Sequence, residues 1–173
     1  MKCAILIGAS GSGKTTIARE VEKRFEKDIS VFYFDRIGVP SIDQMIADYG
    51  SGEAWQRAKT IEWIATIAPV CATGRSVLLE GQTRLSFLAE AAQAAGAFSY
   101  TPILVDCDDE IRAWRLTQER CQPELISDDM KRWAEYLRYE ARKSGCDILD
   151  TSELSLELSV EYVMDRLIQN SSS

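Results

Sequence analysis

Gly8-Ala9-Ser10-Gly11-Ser12-Gly13-Lys14-Thr15 follows the apolar run Cys3-Ala4-Ile5-Leu6-Ile7 and precedes a segment in which Ile17, Val21 and Phe25 recur every four residues. The run before it reads as a buried strand, and the segment after it as a helix with one apolar stripe. A G-x-x-x-x-G-K-T turn in that setting has a specific physical use. Its glycines let the backbone curl until successive N–H groups converge, and the positive end of the following helix adds to their field, so the turn forms a cradle for a phosphate chain. Lys14 brings a point charge to the outer phosphates, and the Thr15 hydroxyl is an oxygen ligand suited to Mg²⁺. The expected nucleotide contacts are Gly8, Ala9, Ser10, Gly11, Ser12, Gly13, Lys14, Thr15 and Thr16.

Working outward, strand-like and helix-like segments alternate along the chain. Aliphatic runs at residues 2–7, 30–34, 76–80, 101–106 and 146–149 read as buried strands. Helical patterns lie between them at 53–72, where Pro69 is expected to bend or end the helix, at 85–95 closing on Gly96, and at 109–120. Ser127-Asp128-Asp129 reads as the cap of a further helix that stops before Gly145, and a last amphipathic helix spans about 156–168. This alternation predicts an α/β, three-layer fold: a five-stranded parallel sheet with helices on both faces. It forms a single domain over residues 1–170, followed by a disordered tail at 171–173.

Length and composition narrow the function. A chain of 173 residues can bury a sizeable core without staples. The net charge of −7 disfavours nucleic acid or an anionic membrane as a general partner. No stretch approaches the ~18 apolar residues of a spanning helix, and the first residues lack a cleavage pattern, so the expected location is the cytoplasm. The five cysteines are dispersed with no C-x-x-C pair, which fits reduced packing residues. Histidine is absent, which removes Ser-His-Asp and Cys-His chemistry and leaves proton transfer to a carboxylate, Lys, Tyr, Cys or water. A guanine switch of the N-K-x-D type is excluded because the only asparagine is Asn170.

Two further constellations stand beside the loop. Leu78-Leu79-Glu80-Gly81-Gln82-Thr83-Arg84 and Asp109-Glu110-Ile111-Arg112-Ala113-Trp114-Arg115, with Arg120 beyond, are followed by Ile148-Leu149-Asp150-Thr151-Ser152. With the glycine-rich turn they make the chain resemble the adenylate-kinase-like branch of P-loop kinases, the group of nucleoside monophosphate, shikimate, gluconate and antibiotic kinases. That resemblance implies ATP and Mg²⁺ as cofactors and a short lid, here Cys121 to Ser127 with Pro123. It implies that Arg84 touches the acceptor, that Arg112, Arg115 and Arg120 contact adenine and the transferring phosphate, and that Thr151 and Ser152 pass under adenine. Arginines converging with Lys14 stabilise charge spread over the transferring phosphoryl oxygens. The alternative for Arg112 and Arg115 is a solvated helix face on which Glu119 pairs with one of them. Glu80 is the candidate carboxylate beside Thr15 for the metal and the acceptor, with Asp106 as its competitor.

Asp35 bears on the acceptor. It follows Val31-Phe32-Tyr33-Phe34 and should project from the carboxyl end of the second strand, where such sheets bind ligands. A hydroxyl acceptor gains from a positioned base, and Asp35 is the leading one; a turn-capping aspartate is the plainer alternative. Monophosphate kinases show a T-G-D-x-x-R-like stretch at this point, whereas this chain continues Arg36-Ile37-Gly38-Val39-Pro40. The expectation is an ATP-dependent kinase for a small-molecule hydroxyl, with Lys14, Asp35, Arg115 and Arg120 as catalytic residues and Asp35, Arg36, Glu80 and Arg84 at the acceptor. The alternatives are a nucleoside monophosphate kinase, a 5′-end polynucleotide kinase using Asp35 and Arg36, or a silent ATP-binding regulatory module. Nucleic acid and membranes are not expected as partners, and the protein is expected to be a monomer or homodimer. The segment from Ile42 to Ile64 is expected to cover the acceptor, and its Gly50-Ser51-Gly52 break reads equally as a hinge between a small helix and a longer one or as a simple interhelical turn.

Overall fold

The computed structural model describes residues 3–169; the expected tail at 171–173 lies outside them. The strands are β1 (Cys3–Ile7), β2 (Ile29–Tyr33), β3 (Ser76–Gly81), β4 (Thr101–Asp106) and β5 (Asp147–Asp150). The helices are α1 (Lys14–Phe25), α2 (Ile42–Tyr49), α3 (Gly52–Ala72), α4 (Leu85–Ala94), α5 (Asp109–Trp114), α6 (Asp128–Ser144) and α7 (Leu156–Gln169). All strand pairs are parallel, in the order β2-β3-β1-β4-β5. Among the described residues no helix is long and apolar enough to cross a membrane.

The apolar runs lack polar alternation because both faces of the sheet are covered. On one face Ile5, Ile7, Leu79 and Leu104 pack with Ile64 and Ile67 of α3, Leu88 of α4 and Leu137 of α6. On the other, Ala4, Leu6, Leu78 and Ile103 pack with Ile17 and Val21 of α1 and Val160, Val163 and Leu167 of α7. Three helices start on serines whose hydroxyls accept from the first turn: Ser41 from Gln44, Ser51 from Ala54 and Ser127 from Met130. Cys3, Cys71 and Cys107 are buried, and burial pushes the Cys146 thiol up to about 11. Cys121, by contrast, is exposed.

One element keeps its expected span and one departs from it. The helix expected over 53–72 runs Gly52–Ala72 with Pro69 inside it, so the proline does not end it. Pro69 and Ala65 both face solvent, so the carbonyl deprived of its helical partner can turn to water. The helix expected over 109–120 is regular only to Trp114, after which the chain widens into a π turn over Arg115–Glu119. Turns of this kind concentrate at functional sites, and this one carries Arg115 toward the glycine-rich loop.

The turn bearing Asp35, a 3₁₀ turn over Phe34–Ile37, rests on the end of β3. A Cβ at Gly81 would lie 2.3 Å from Phe34 Cβ. Gly81→Ala should therefore destabilise the protein by about 1–3 kcal/mol through overpacking and displace the Asp35 turn. Urea unfolding reads the first effect, and a structure of the variant the second.

Candidate functional site

Five loops meet at the carboxyl edge of the sheet, where β1 is flanked by β3 and β4. This edge, at the point where the strand order reverses, is where open α/β sheets bind ligands. The loop after β1 enters α1 through Gly13, whose φ of +98° is open to glycine at little cost. Lys14 is 5% exposed and its Nζ donates to the Ala9 carbonyl at 3.2 Å. Burial pulls its ammonium below the ordinary value, while Glu80 and Asp35 act to hold it up. Glu80 is the mirror case: burial raises its carboxyl and nearby Lys14 opposes the rise. Thr15 Oγ1 donates to Glu80 Oε1 at 3.3 Å, so a hydroxyl and a carboxylate share one corner of the cleft.

That corner suits Mg²⁺. Among the described residues no group of three or more carboxylates, cysteines or histidines could hold a metal ion without other help. A hydroxyl with one carboxylate is the kind of sparse oxygen set that serves Mg²⁺ when phosphate oxygens and water complete its coordination. Asp106 is committed elsewhere. Its carboxylate accepts from Arg112 Nη2 at 3.0 Å and pairs with Arg138 Nε, and both guanidinium groups also donate to the Cys107 carbonyl.

The nucleotide side is held together by backbone carbonyls. Arg115 Nη1 donates to Ser12 O at 3.3 Å and to Thr151 Oγ1 at 2.9 Å, and Nη2 donates to Thr151 O at 2.8 Å. Thr151 Oγ1 in turn lies within donating distance of Ser12 O and Asp106 O, at 2.9 and 3.0 Å. Ser152 Oγ donates to Asp150 and accepts from Asp108 N, which fixes the turn after β5. Arg112 is buried beneath the loop, against Gly11, and not on a solvated face. A cavity of about 230 Å³ above the loop is lined by Lys14, Thr15, Thr16, Arg115 and Arg120, and by Arg19. Sequence reading missed Arg19. It makes no hydrogen bond or ion pair among the described residues, and its only signal is its place one turn beyond Thr15.

On the acceptor side Asp35 is exposed at the end of β2, close enough to Lys14 and Glu80 to act on both electrostatically. Its carboxylate has no hydrogen-bond partner among the described residues, while its backbone carbonyl accepts from Gly38 N at 3.0 Å. Arg36 is drawn aside: it lies 4.1 Å over the Tyr33 ring and pairs with Glu22 of α1. Arg84, at the start of α4, donates to Glu53 at 2.9 Å and sits over the Tyr136 ring. Gln82, also missed, donates to Ser10 Oγ at 2.7 Å and accepts from Gln56 on its carbonyl at 3.0 Å. It ties the phosphate loop to the acceptor wall.

Loop, sheet order and flanking helices define a P-loop protein with the fold of small-molecule kinases. The sequence profile of the AAA domain family matches residues 5–138, and the chain belongs to that family. No curated protein matches the sequence. Solved structures match its fold. An unliganded sugar kinase from Janibacter sp. HTCC2649 superposes with a TM-score of 0.67 at 16% identity, covering 99% of this chain and 96% of that one. Shikimate kinase from Acinetobacter baumannii in complex with shikimate gives 0.62 at 12%, covering 100% and 96%. Deoxyadenosine kinase from M. mycoides with bound dATP gives 0.62 at 14%, covering 96% and 99%.

The Asp106 network separates a structural from a metal-binding role. Asp106→Asn removes the nearer of the two carboxylates paired with buried Arg112, leaving Asp109 at 3.7 Å, and also unpairs Arg138, so it should cost about 3 kcal/mol in urea unfolding. The variant's Mg²⁺ requirement, measured on the folded protein, should remain that of the wild type.

Proposed function

We propose that this protein is an ATP-dependent kinase that transfers the γ-phosphoryl group to the hydroxyl of a small molecule. The observation that carries the reading is an unpartnered carboxylate, Asp35, placed across the strand ends from a buried P-loop lysine. Gly8 to Thr16 hold the phosphates through backbone N–H groups and the end of α1. Thr15 and Glu80 would hold Mg²⁺, which when bound neutralises phosphate charge. Thr151 and Ser152 shape the edge of the nucleotide site, and Arg112 supports the loop from below.

The reaction follows from what each group can do. The acceptor oxygen forms a bond to the γ-phosphorus as the bond from γ-phosphorus to the bridging oxygen breaks, giving a phosphate ester and ADP. The acceptor's proton passes to Asp35 and from there to solvent. Because Asp35 is exposed and unpaired, it is free to receive that proton; a phosphate acceptor, already ionised, would need no such base. Lys14, Arg115 and Arg120 face the charge that develops on the phosphoryl oxygens, and fixed donors of this type stabilise a transition state more than a ground state. Arg84 orients the acceptor from the far wall. Arg36, turned toward Glu22, stands at the edge of the acceptor side.

With purified protein, ATP, Mg²⁺ and a panel of hydroxyl compounds and monophosphates, ADP release should follow a hydroxyl acceptor. Asp35→Asn should lower kcat about 100-fold or more with the melting temperature unchanged. A change of less than about threefold would favour a monophosphate acceptor. Tight ATP binding with no turnover across the panel would favour a regulatory module.

A further inference from the structure

The acceptor pocket itself carries information about charge. A cavity of about 360 Å³, in the range of small-molecule sites, opens between the start of α3, the turn after β3 and the start of α6. Glu53, Gln56, Gln82, Arg84, Asp129 and Trp133 line it. Gln82 joins its wall to Ser10 of the phosphate loop, which places the pocket on the acceptor side of the transfer site.

The one guanidinium group lining this pocket, that of Arg84, is already engaged through Nη2, while its Nε is buried without a partner. Arg84 is bound by Glu53 at 2.9 Å and lies 4.8 Å over the Tyr136 ring and 5.7 Å from the Trp133 ring. Asp129, also in the wall, is paired with the exposed Arg132 one turn along α6. A carboxylate or phosphate on the acceptor would have to displace a carboxylate already seated in the wall, and would meet a second one. The remaining polar groups favour the opposite chemistry. The side-chain carbonyls of Gln56 and Gln82 accept no hydrogen bond among the described residues, and with Glu53 and Asp129 they form a wall rich in acceptors. Such a wall suits a ligand rich in donors, meaning hydroxyl or ammonium groups, while the Trp133 ring offers an apolar face for the carbon skeleton.

We propose that the acceptor is a hydroxyl-rich compound that is uncharged or bears an amine, and that sugar acids and phosphomonoesters are discriminated against. The Glu53–Arg84 pair is the specificity device, since a site rejects a competitor by presenting it with like charge. This inference rests on the kinase reading above.

The test compares matched acceptors with ATP and Mg²⁺: an aldohexose, its 2-amino derivative and its C1 carboxylate, and adenosine against AMP. The uncharged and amine-bearing members should exceed the acidic ones by about tenfold or more in kcat/KM. Glu53→Gln, which releases Arg84, should narrow that ratio by at least about fivefold, with its melting temperature as the control for folding. A preference for the acids, or a ratio unmoved by Glu53→Gln, would overturn the inference and leave the kinase reading standing. ADP release with no member of either set would remove the kinase reading and this inference together.

Discussion

A charged amine with almost no access to water is the constraint around which the rest of this molecule is arranged. Stripping an ammonium of solvent is among the more unfavourable things a fold can do, and it persists only where opposite charge or hydrogen bonds compensate. Lys14 has both, in the Ala9 carbonyl and in the nearby carboxylates of Glu80 and Asp35. Glu80 is buried for the same reason in reverse. Neither group would be tolerable alone at the end of a sheet, and together they hold a field into which an anion of high charge can settle. The parallel strands serve this arrangement by bringing the ends of β1, β2 and β3 side by side, with Leu6 and Tyr33 both in register with Glu80.

Both halves of the cleft combine ties to main-chain oxygens with ties between side chains. On the nucleotide half, Arg115 and Thr151 grip Ser12 through its main-chain oxygen, and Arg112 and Arg138 share the Cys107 carbonyl. The π turn after α5 fits this role, since it holds Arg115 over the loop while Gln122 N returns to Leu116 O to start the lid. On the acceptor half, side-chain pairs such as Glu53 with Arg84 and Thr60 with Thr83 stand beside main-chain ties from Gln56 to Gln82 O and from Trp63 to Phe34 O.

Much of this was legible in the chain itself, and the rest was hidden for physical reasons. The strands and the phosphate loop were readable because their signals are local: an unbroken aliphatic run, a glycine pattern, a stripe at helical spacing. The placements of Lys14 and Thr15 followed from the same motif, and that of Glu80 from the separate stretch at the end of the third strand. Arg112 was harder, because a charged residue three positions from another on a helix looks solvated, and its burial follows from Asp106, Asp109 and the Cys107 carbonyl closing around it in the fold. Arg138 and Gln82 gave no signal at all, since their roles depend on groups 31 and 72 residues away. Pro69 was a weaker signal than the pattern around it: the apolar spacing over 53–72 gave the span of α3, and Pro69 and Ala65 both lie on its exposed side.

The mixture of ties across the cleft bears on how such a protein changes over time. Contacts to main-chain oxygens survive substitution of the residue that supplies the oxygen, so the holds on Ser12 O and Cys107 O tolerate drift at those two positions, whereas the Asp106 pairs do not. Contacts between side chains are rewritten by a single exchange. A lineage descending from this chain could therefore acquire new acceptors one residue at a time while keeping its phosphoryl donor, with Gln82 as the strut that keeps the two histories in register.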